Sequence, residues 1–221
     1  MTDPTWTALE VRVSGEFACF TRPEMKVERV TYPVMTPSAA RGVLEAIFWK
    51  PQFQWIVEEI HVLKPIAYFS ILRNEVSSRQ VVATARAWAQ SGVGGYAAAD
   101  DRTQRHTLAL RDVAYVIRAS MRLRPGVSDD IAKFRDQFRR RVANGRCYAM
   151  PYLGCREFSA GFGPPQAGER PIDLSGELGP MLLGIDYLPN GGGIGQPRFF
   201  PAELRAGVLH VPLPDAVNGA G

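Results

Sequence analysis

The most restrictive feature of this 221-residue chain is the order in which strand-like and helix-like hydrophobic periods follow one another. Leu9 to Phe20 (LEVRVSGEFACF) alternates apolar and polar around Val11 and Val13, which reads as a half-buried first strand. Thr36-Pro37-Ser38 opens a helix: Pro37 suits a first turn, and Ala40, Val43, Leu44 and Ile47 recur at helical spacing until Pro51 stops the pattern. Trp55 to Leu63 is a second strand, and Ile66 to Leu72 continues the sheet. Thr107 to Leu123 holds a strong strand with Val113, Tyr115, Ile117 and Ala119 on one face. Asp129 or Asp130 caps a second helix, whose apolar stripe is Ile131, Phe134, Phe138 and Val142. Asn144-Gly145 ends it, and Arg146 to Leu153 reads as another strand.

Strand, helix, strand, strand, helix, strand is the split βαβ pattern, also the topology of RNA-recognition sheets. The expected class is therefore α+β, with a ferredoxin-like (RNA-recognition-like) sheet-and-helix core over residues 1–157. The stretch 77–107 is too long for an idle connection and reads as a functional insertion. From about Phe158 the texture turns Gly/Pro-rich, and Met181 to Tyr187, Phe199 to Leu204 and Val208 to Val211 predict a small antiparallel β region over residues 158–221. Residues 190–193 (NGGG) read as a hairpin loop.

Charge divides the chain more sharply than its net +4 suggests. Only Lys26, Lys50, Lys64 and Lys133 are lysine, leaving 22 arginines, whose planar forks suit phosphates and carboxylates. From Arg102 to Arg146 the balance is about +8; from Glu157 onward it is −4. A basic half on an RNA-recognition-like core points to nucleic acid. Arg102, Arg105 and His106, with Gln104 and Thr103, are expected in a polar loop beside a strand end, within reach of a backbone. The run Arg139 to Arg141 cannot all face one way on a helix, so it reads equally as a solvated face or a phosphate track. Tyr148 and Tyr152 are either sheet aromatics or base-stacking groups.

Cys19, Cys147 and Cys155 are odd in number, with no CxxC pair, so no disulfide framework or zinc site is expected and no metal or cofactor is called for. The stretch MTDPTWTALE has no basic leader followed by an apolar run, and no 18-residue apolar segment occurs, so a cytoplasmic location and no membrane contact are expected.

Longer blocks carry a resemblance. Residues 20–30 (FTRPEMKVERV), 35–42 (MTPSAARG), Trp49-Lys50-Pro51, 61–66 (HVLKPI), Arg73-Asn74-Glu75-Val76, 102–105 (RTQR) with Leu108 to Tyr115, and 152–158 (YLGCREF) resemble the CRISPR-associated Cas five family. The likeness is to its d variant, found in type I-C systems. Met181-Leu182-Leu183 and Arg198-Phe199-Phe200 fit the family's C-terminal part, so the resemblance covers nearly the whole chain.

The resemblance implies a metal-independent endoribonuclease that cuts precursor CRISPR RNA within its repeat hairpin and retains the 5′ handle. It also implies a place in the interference complex beside the backbone and large subunits. The basic residues in and around the matching blocks, Arg22, Lys26, Arg29, Arg41, Lys50, Arg73, Arg102, Arg105 and Arg156, are the candidate RNA contacts. Nonspecific duplex DNA binding would follow from charge alone. The family chemistry, attack of a ribose 2′-OH on its own phosphate, needs a base, an acid and positive charge. The family places a tyrosine at the end of the first helix and a Lys-His pair at the start of the second. Here those positions are Phe48 and Lys133-Phe134, so only the lysine is kept. Lys133 is the candidate catalytic cation, and His106, the one histidine in the basic stretch, the candidate substitute; His61 and His210 read as structural. The alternative is a non-catalytic subunit that binds the handle.

Overall fold

A computed structural model describes residues 8–25, 27–187 and 195–213. The first strand, β1 (Leu9–Ala18), sends Leu9, Val11 and Val13 inward in strict alternation. A two-residue strand, β2 (Arg29–Val30), leads to helix α1 (Pro37–Ile47). Thr36 caps α1 by accepting from the Ala39 amide at 3.3 Å, Pro37 occupies the first turn, and the expected stripe of Ala40, Val43, Leu44 and Ile47 is buried. Strands β3 (Phe53–Val62) and β4 (Tyr68–Val76) follow, then helix α2 (Val82–Ser91) and the 22-residue β5 (Arg102–Leu123). Helix α3 (Ile131–Ala143) is capped by Asp130, which accepts from the Ala132 amide at 2.8 Å, and buries Phe134, Phe138 and Val142. The chain closes with β6 (Gly161–Gly163), β7 (Gly176–Tyr187), β8 (Gly195–Arg205) and β9 (Val208–His210).

The result is a mixed α/β architecture with few helices on a largely antiparallel sheet, in the order β6-β1-β5-β3-β9-β8-β7. β2 and β4 also pair with β5, β2 in parallel. The C-terminal strands enter this same sheet through β9, which pairs with β3, and β6 lies against β1. Hydrogen bonding in the sheet therefore runs across position 157 without a break.

Two local expectations are corrected, and one helix appears that the sequence reading did not name. Arg146 to Leu153 forms no strand: its backbone turns back on α1, with the Tyr148 and Ala149 amides donating to the Ala46 carbonyl at 2.9 and 3.1 Å, and the strand that follows α3 is β6. The 77–107 stretch contains α2, built on alternating alanines (Ala83, Ala85, Ala87, Ala89), with no residue buried. Arg102, Arg105 and His106 are not in a loop; they stand on β5, paired with Val76, Arg73 and Leu72 of β4. The expected hairpin loop at 190–193 lies outside the described residues.

One glycine fixes the geometry around the site. Gly154 has φ +84°, and a Cβ there would meet the Cys19 carbonyl oxygen at 2.0 Å, so only glycine lets the 153–155 turn close on β1. The Cys19 amide then donates to the Leu153 carbonyl at 3.0 Å.

Candidate nucleic-acid interface

The basic half resolves into three places. The first lies where β2, β4 and β5 meet the 153–158 turn. Arg29 reaches Glu75 at 3.2 Å and Glu157 at 3.6 Å; Arg73 pairs with Glu75 at 3.3 Å and also with Glu157; Arg105 reaches Glu75 at 3.4 Å. Arg73 and Arg105 are directly opposed across the strands, a like-charge pair tolerable only because Glu75 sits between them. Arg29 also donates to the Cys155 thiol at 3.7 Å. Cys155 in turn lowers the pKa of the Cys19 thiol by a hydrogen bond; burial opposes this, while Thr21 and the Arg29 and Arg73 charges reinforce it. These two cysteines are 136 residues apart in sequence, which is why spacing alone gave no hint of them.

The second place surrounds the start of α3. Phe48 stacks near Phe53 (5.6 Å between centroids) and Phe53 near Phe134 (5.3 Å), so the end of α1, β3 and the first turn of α3 share one aromatic cluster. Phe48 and Phe134 are buried in it. Lys133, by contrast, is exposed, lies 4.8 Å over the Phe134 ring and pairs with Asp129 one turn earlier.

The third place is at the other end of α3. The three consecutive arginines separate there: Arg139 pairs with Asp136 at 3.1 Å, Arg141 tucks under α1 to donate to the Ile47 carbonyl at 2.9 Å, and Arg140 is left exposed. Gln137, Arg140, Arg141, Asn144, Gly145, Arg146 and Cys147 line a groove of about 690 Å³.

The remaining candidates are dispersed. Arg22 lies 4.4 Å over the Tyr32 ring and 3.8 Å from Glu24. Arg41 flanks a small cleft with Arg198 and Trp55. Lys50, Arg102 and Arg156 are exposed, and among the described residues none of the three has an ion-pair partner; Lys26 lies outside them. His106 is exposed on β5, on the face opposite Arg105. It stands near the far end of β5 from α3, on the order of 50 Å of strand from Leu123 at about 3.3 Å per residue. Lys133 and His106 stand on different elements, α3 and β5. His61 and His210 both face Glu59, at 2.8 and 3.6 Å.

Residues 8–212 match the model of the family described as CRISPR-associated protein (Cas_Cas5). A curated relative from Thermus thermophilus, named CRISPR pre-crRNA endoribonuclease Cas5d, is 44% identical over 219 residues, covering 92% of this chain and 91% of its own length. The chain belongs to the Cas5d family. A second Cas5d, from Mannheimia succiniciproducens, is 42% identical over 92% of this chain and 94% of its own. Among solved structures, a CRISPR-associated protein superposes with a TM-score of 0.67 at 22% identity, covering 96% of this chain and 95% of that one. A functionally uncharacterized protein from Streptococcus mutans gives 0.65 at 18%, covering 93% and 92%. At these identities the two structures speak for the fold alone.

Of the positions that the sequence resemblance marks for catalysis, 48 and 134 both touch Phe53, and Lys133 lies over the Phe134 ring. Two of the three present carbon to the protein core. Among the described residues no helix is long and apolar enough to cross a membrane.

Proposed function

We propose that this chain is an endoribonuclease that cuts precursor CRISPR RNA within its repeat hairpin, without a metal ion, and keeps the 5′ handle as a subunit of a type I-C interference complex. The observation that carries this reading is the end-to-end likeness to two curated pre-crRNA endoribonucleases. We also read the core as ferredoxin-like. The antiparallel order β6-β1-β5-β3, with α1 between β1 and β3 and α3 between β5 and β6, supports it. The charge-bearing arm of β4 and β5 and the basic end of α3 supply the cations expected of an RNA-binding surface, with neighbouring backbone and large subunits as protein partners.

In the cut, the ribose 2′ oxygen forms a bond to the adjacent phosphorus as the bond to O5′ breaks. A base takes the 2′-OH proton, an acid protonates O5′, and a cyclic phosphate and a 5′-OH result. Lys133 supplies charge to the crowded phosphate. Its exposed pair with Asp129 is worth about 0–1 kcal/mol, so a phosphate displaces the carboxylate at small cost. The proton transfers fall to groups other than Phe48 and Phe134, which have no proton to give.

Labelled repeat RNA incubated with the purified protein in excess EDTA is cut within the hairpin, leaving a cyclic phosphate. Lys133→Ala lowers the single-turnover rate about 100-fold while RNA affinity stays within about threefold. Binding with no product over hours removes the nuclease reading. It would leave a non-catalytic handle-binding subunit, the reading that the buried phenylalanines at 48 and 134 favour.

A further inference from the structure

We propose that the groove at the C-terminal end of α3 seats an unpaired stretch of the RNA, its phosphates on Arg140 and Arg146 and a base stacked on Tyr148. This deepens the RNA-processing reading above and rests on it. None of these three residues falls in a block that carries the family resemblance.

A helix C-terminus is a poor place for an anion, because its last carbonyls carry partial negative charge. Here three of the last four, those of Arg140, Arg141 and Val142, accept hydrogen bonds. The Arg140 carbonyl accepts from the Asn144 amide at 3.2 Å and from its side chain at 2.7 Å; the Arg141 carbonyl accepts from the Arg146 amide at 2.9 Å, and the Val142 carbonyl from Gly145 at 3.3 Å. With these carbonyls capped, the cations set the sign of the groove. Arg139 is paired with Asp136, while Arg141 keeps its charge but has its guanidinium committed to the Ile47 carbonyl. Arg140 and Arg146 are exposed, and among the described residues neither has an ion-pair partner. The lining contains no carboxylate. Its volume, about 690 Å³, is within the range of about 300–1,000 Å³ typical of ligand sites.

The aromatics decide what kind of nucleic acid fits. Tyr148 follows the groove's last lining residue and is 86% exposed; Trp49, just past α1, is 51% exposed. A ring left as bare as that of Tyr148 is open to a stacking partner. Tyr148 does not hang loose either, since its amide and that of Ala149 are both fixed to the Ala46 carbonyl. The backbone that carries the ring is thus fixed, and stacking on the ring requires a base whose face is free. Duplex RNA hides its base faces in the helix; only unpaired nucleotides offer them.

The test uses a repeat hairpin with a 2′-deoxy substitution at the cut, so that binding is read without cleavage. It is made once with unpaired flanks and once as a blunt stem. Arg140→Ala combined with Arg146→Ala should weaken the flanked RNA at least about tenfold and flatten its salt dependence by about 1.4 units of slope, about 0.7 per single-strand phosphate. Tyr148→Ala should cost about tenfold on the same RNA, and Tyr148→Phe should restore it, because stacking needs the ring and not the hydroxyl. The blunt stem should bind all variants as it binds the parent, with unchanged thermal unfolding. Equal losses on both RNAs would overturn the proposal, as would normal binding of the flanked RNA by the Arg140→Ala, Arg146→Ala double variant. Groove-dependent binding without cleavage of the natural repeat would remove the nuclease reading and leave the groove. Cleavage with groove-independent binding would remove the groove alone.

Discussion

Arg73 and Arg140 carry the same guanidinium into different surroundings. Arg73 is 16% exposed and stands with Arg29 and Arg105 around two shared carboxylates, Glu75 and Glu157. Arg140 points from a helix end into a groove whose lining holds no acid. The first arrangement gathers three guanidiniums on two carboxylates and joins β2, β4, β5 and the 153–158 turn. The second leaves its charges to be satisfied by something else. Residue type alone groups these arginines together; their partners separate structural cations from cations available to a ligand.

The sharpest way to break this contrast is to remove the shared acid. Glu75→Gln leaves three guanidiniums, each with less than a third of its side chain exposed, with Glu157 as their one remaining carboxylate. Loss of one partner from a fully buried pair costs several kcal/mol and from a surface pair less than about 1, so about 2 kcal/mol is expected here. The readout is denaturant unfolding at low salt, with partial recovery at high salt as the repulsion is screened. Unchanged stability would mean that the cluster does not hold the arm to the core.

A smaller effect separates neighbours on one strand. Arg102 is exposed and unpaired among the described residues; Arg105, three positions on, faces the other way and holds Glu75. Arg102→Ala should flatten the salt dependence of RNA binding by up to about one unit without altering stability. Arg105→Ala should lower stability more than it alters that slope. A reversed outcome would place the RNA on the ion-paired face of the arm.

How much of this was legible in sequence follows from what each element buries. α1 and α3 could be read because caps and apolar stripes coincide: Thr36 with Pro37, and Asp130 with Phe134, Phe138 and Val142. The core of β5 showed through Val113, Tyr115 and Ile117. Its first five residues, RTQRH, did not, since they pair only with β4 and alternate polar with polar. Residues 146–153 misled in the opposite sense. Tyr148, Met150 and Tyr152 give a period of two, yet all three are exposed and the amides go to α1. The true edge strand, Gly-Phe-Gly at 161–163, is too short to carry a pattern. α2 went unread because an alanine helix that buries nothing has no stripe. Of the site, the positions of Phe48, Lys133 and Phe134 were legible from the resemblance. The meeting of Cys19 with Cys155, and the parting of Arg139, Arg140 and Arg141, depend on tertiary contacts that no local spacing encodes.

The mildest test concerns a second ion-paired cluster, where β9 joins the sheet. Burial pushes the Glu59 carboxyl up, but the His61 hydrogen bond and the Arg118 charge, with His61's own charge, outweigh it and hold the group below its ordinary value. Arg118 lies 3.3 Å away, and His210 of β9 approaches the other oxygen at 3.6 Å. A carboxyl whose pKa is depressed by folding stabilises the native state at neutral pH, and that contribution fades as pH falls from its unfolded pKa, about 4.3, through the lower folded one. Glu59→Gln should therefore cost less than about 1 kcal/mol at pH 7, since the group is partly exposed and screened, and nothing once the pH is below both values. The wild-type and variant acid-unfolding curves should converge there. A constant gap down to low pH would make Glu59 a packing residue rather than a charge, and would remove this cluster from the comparison.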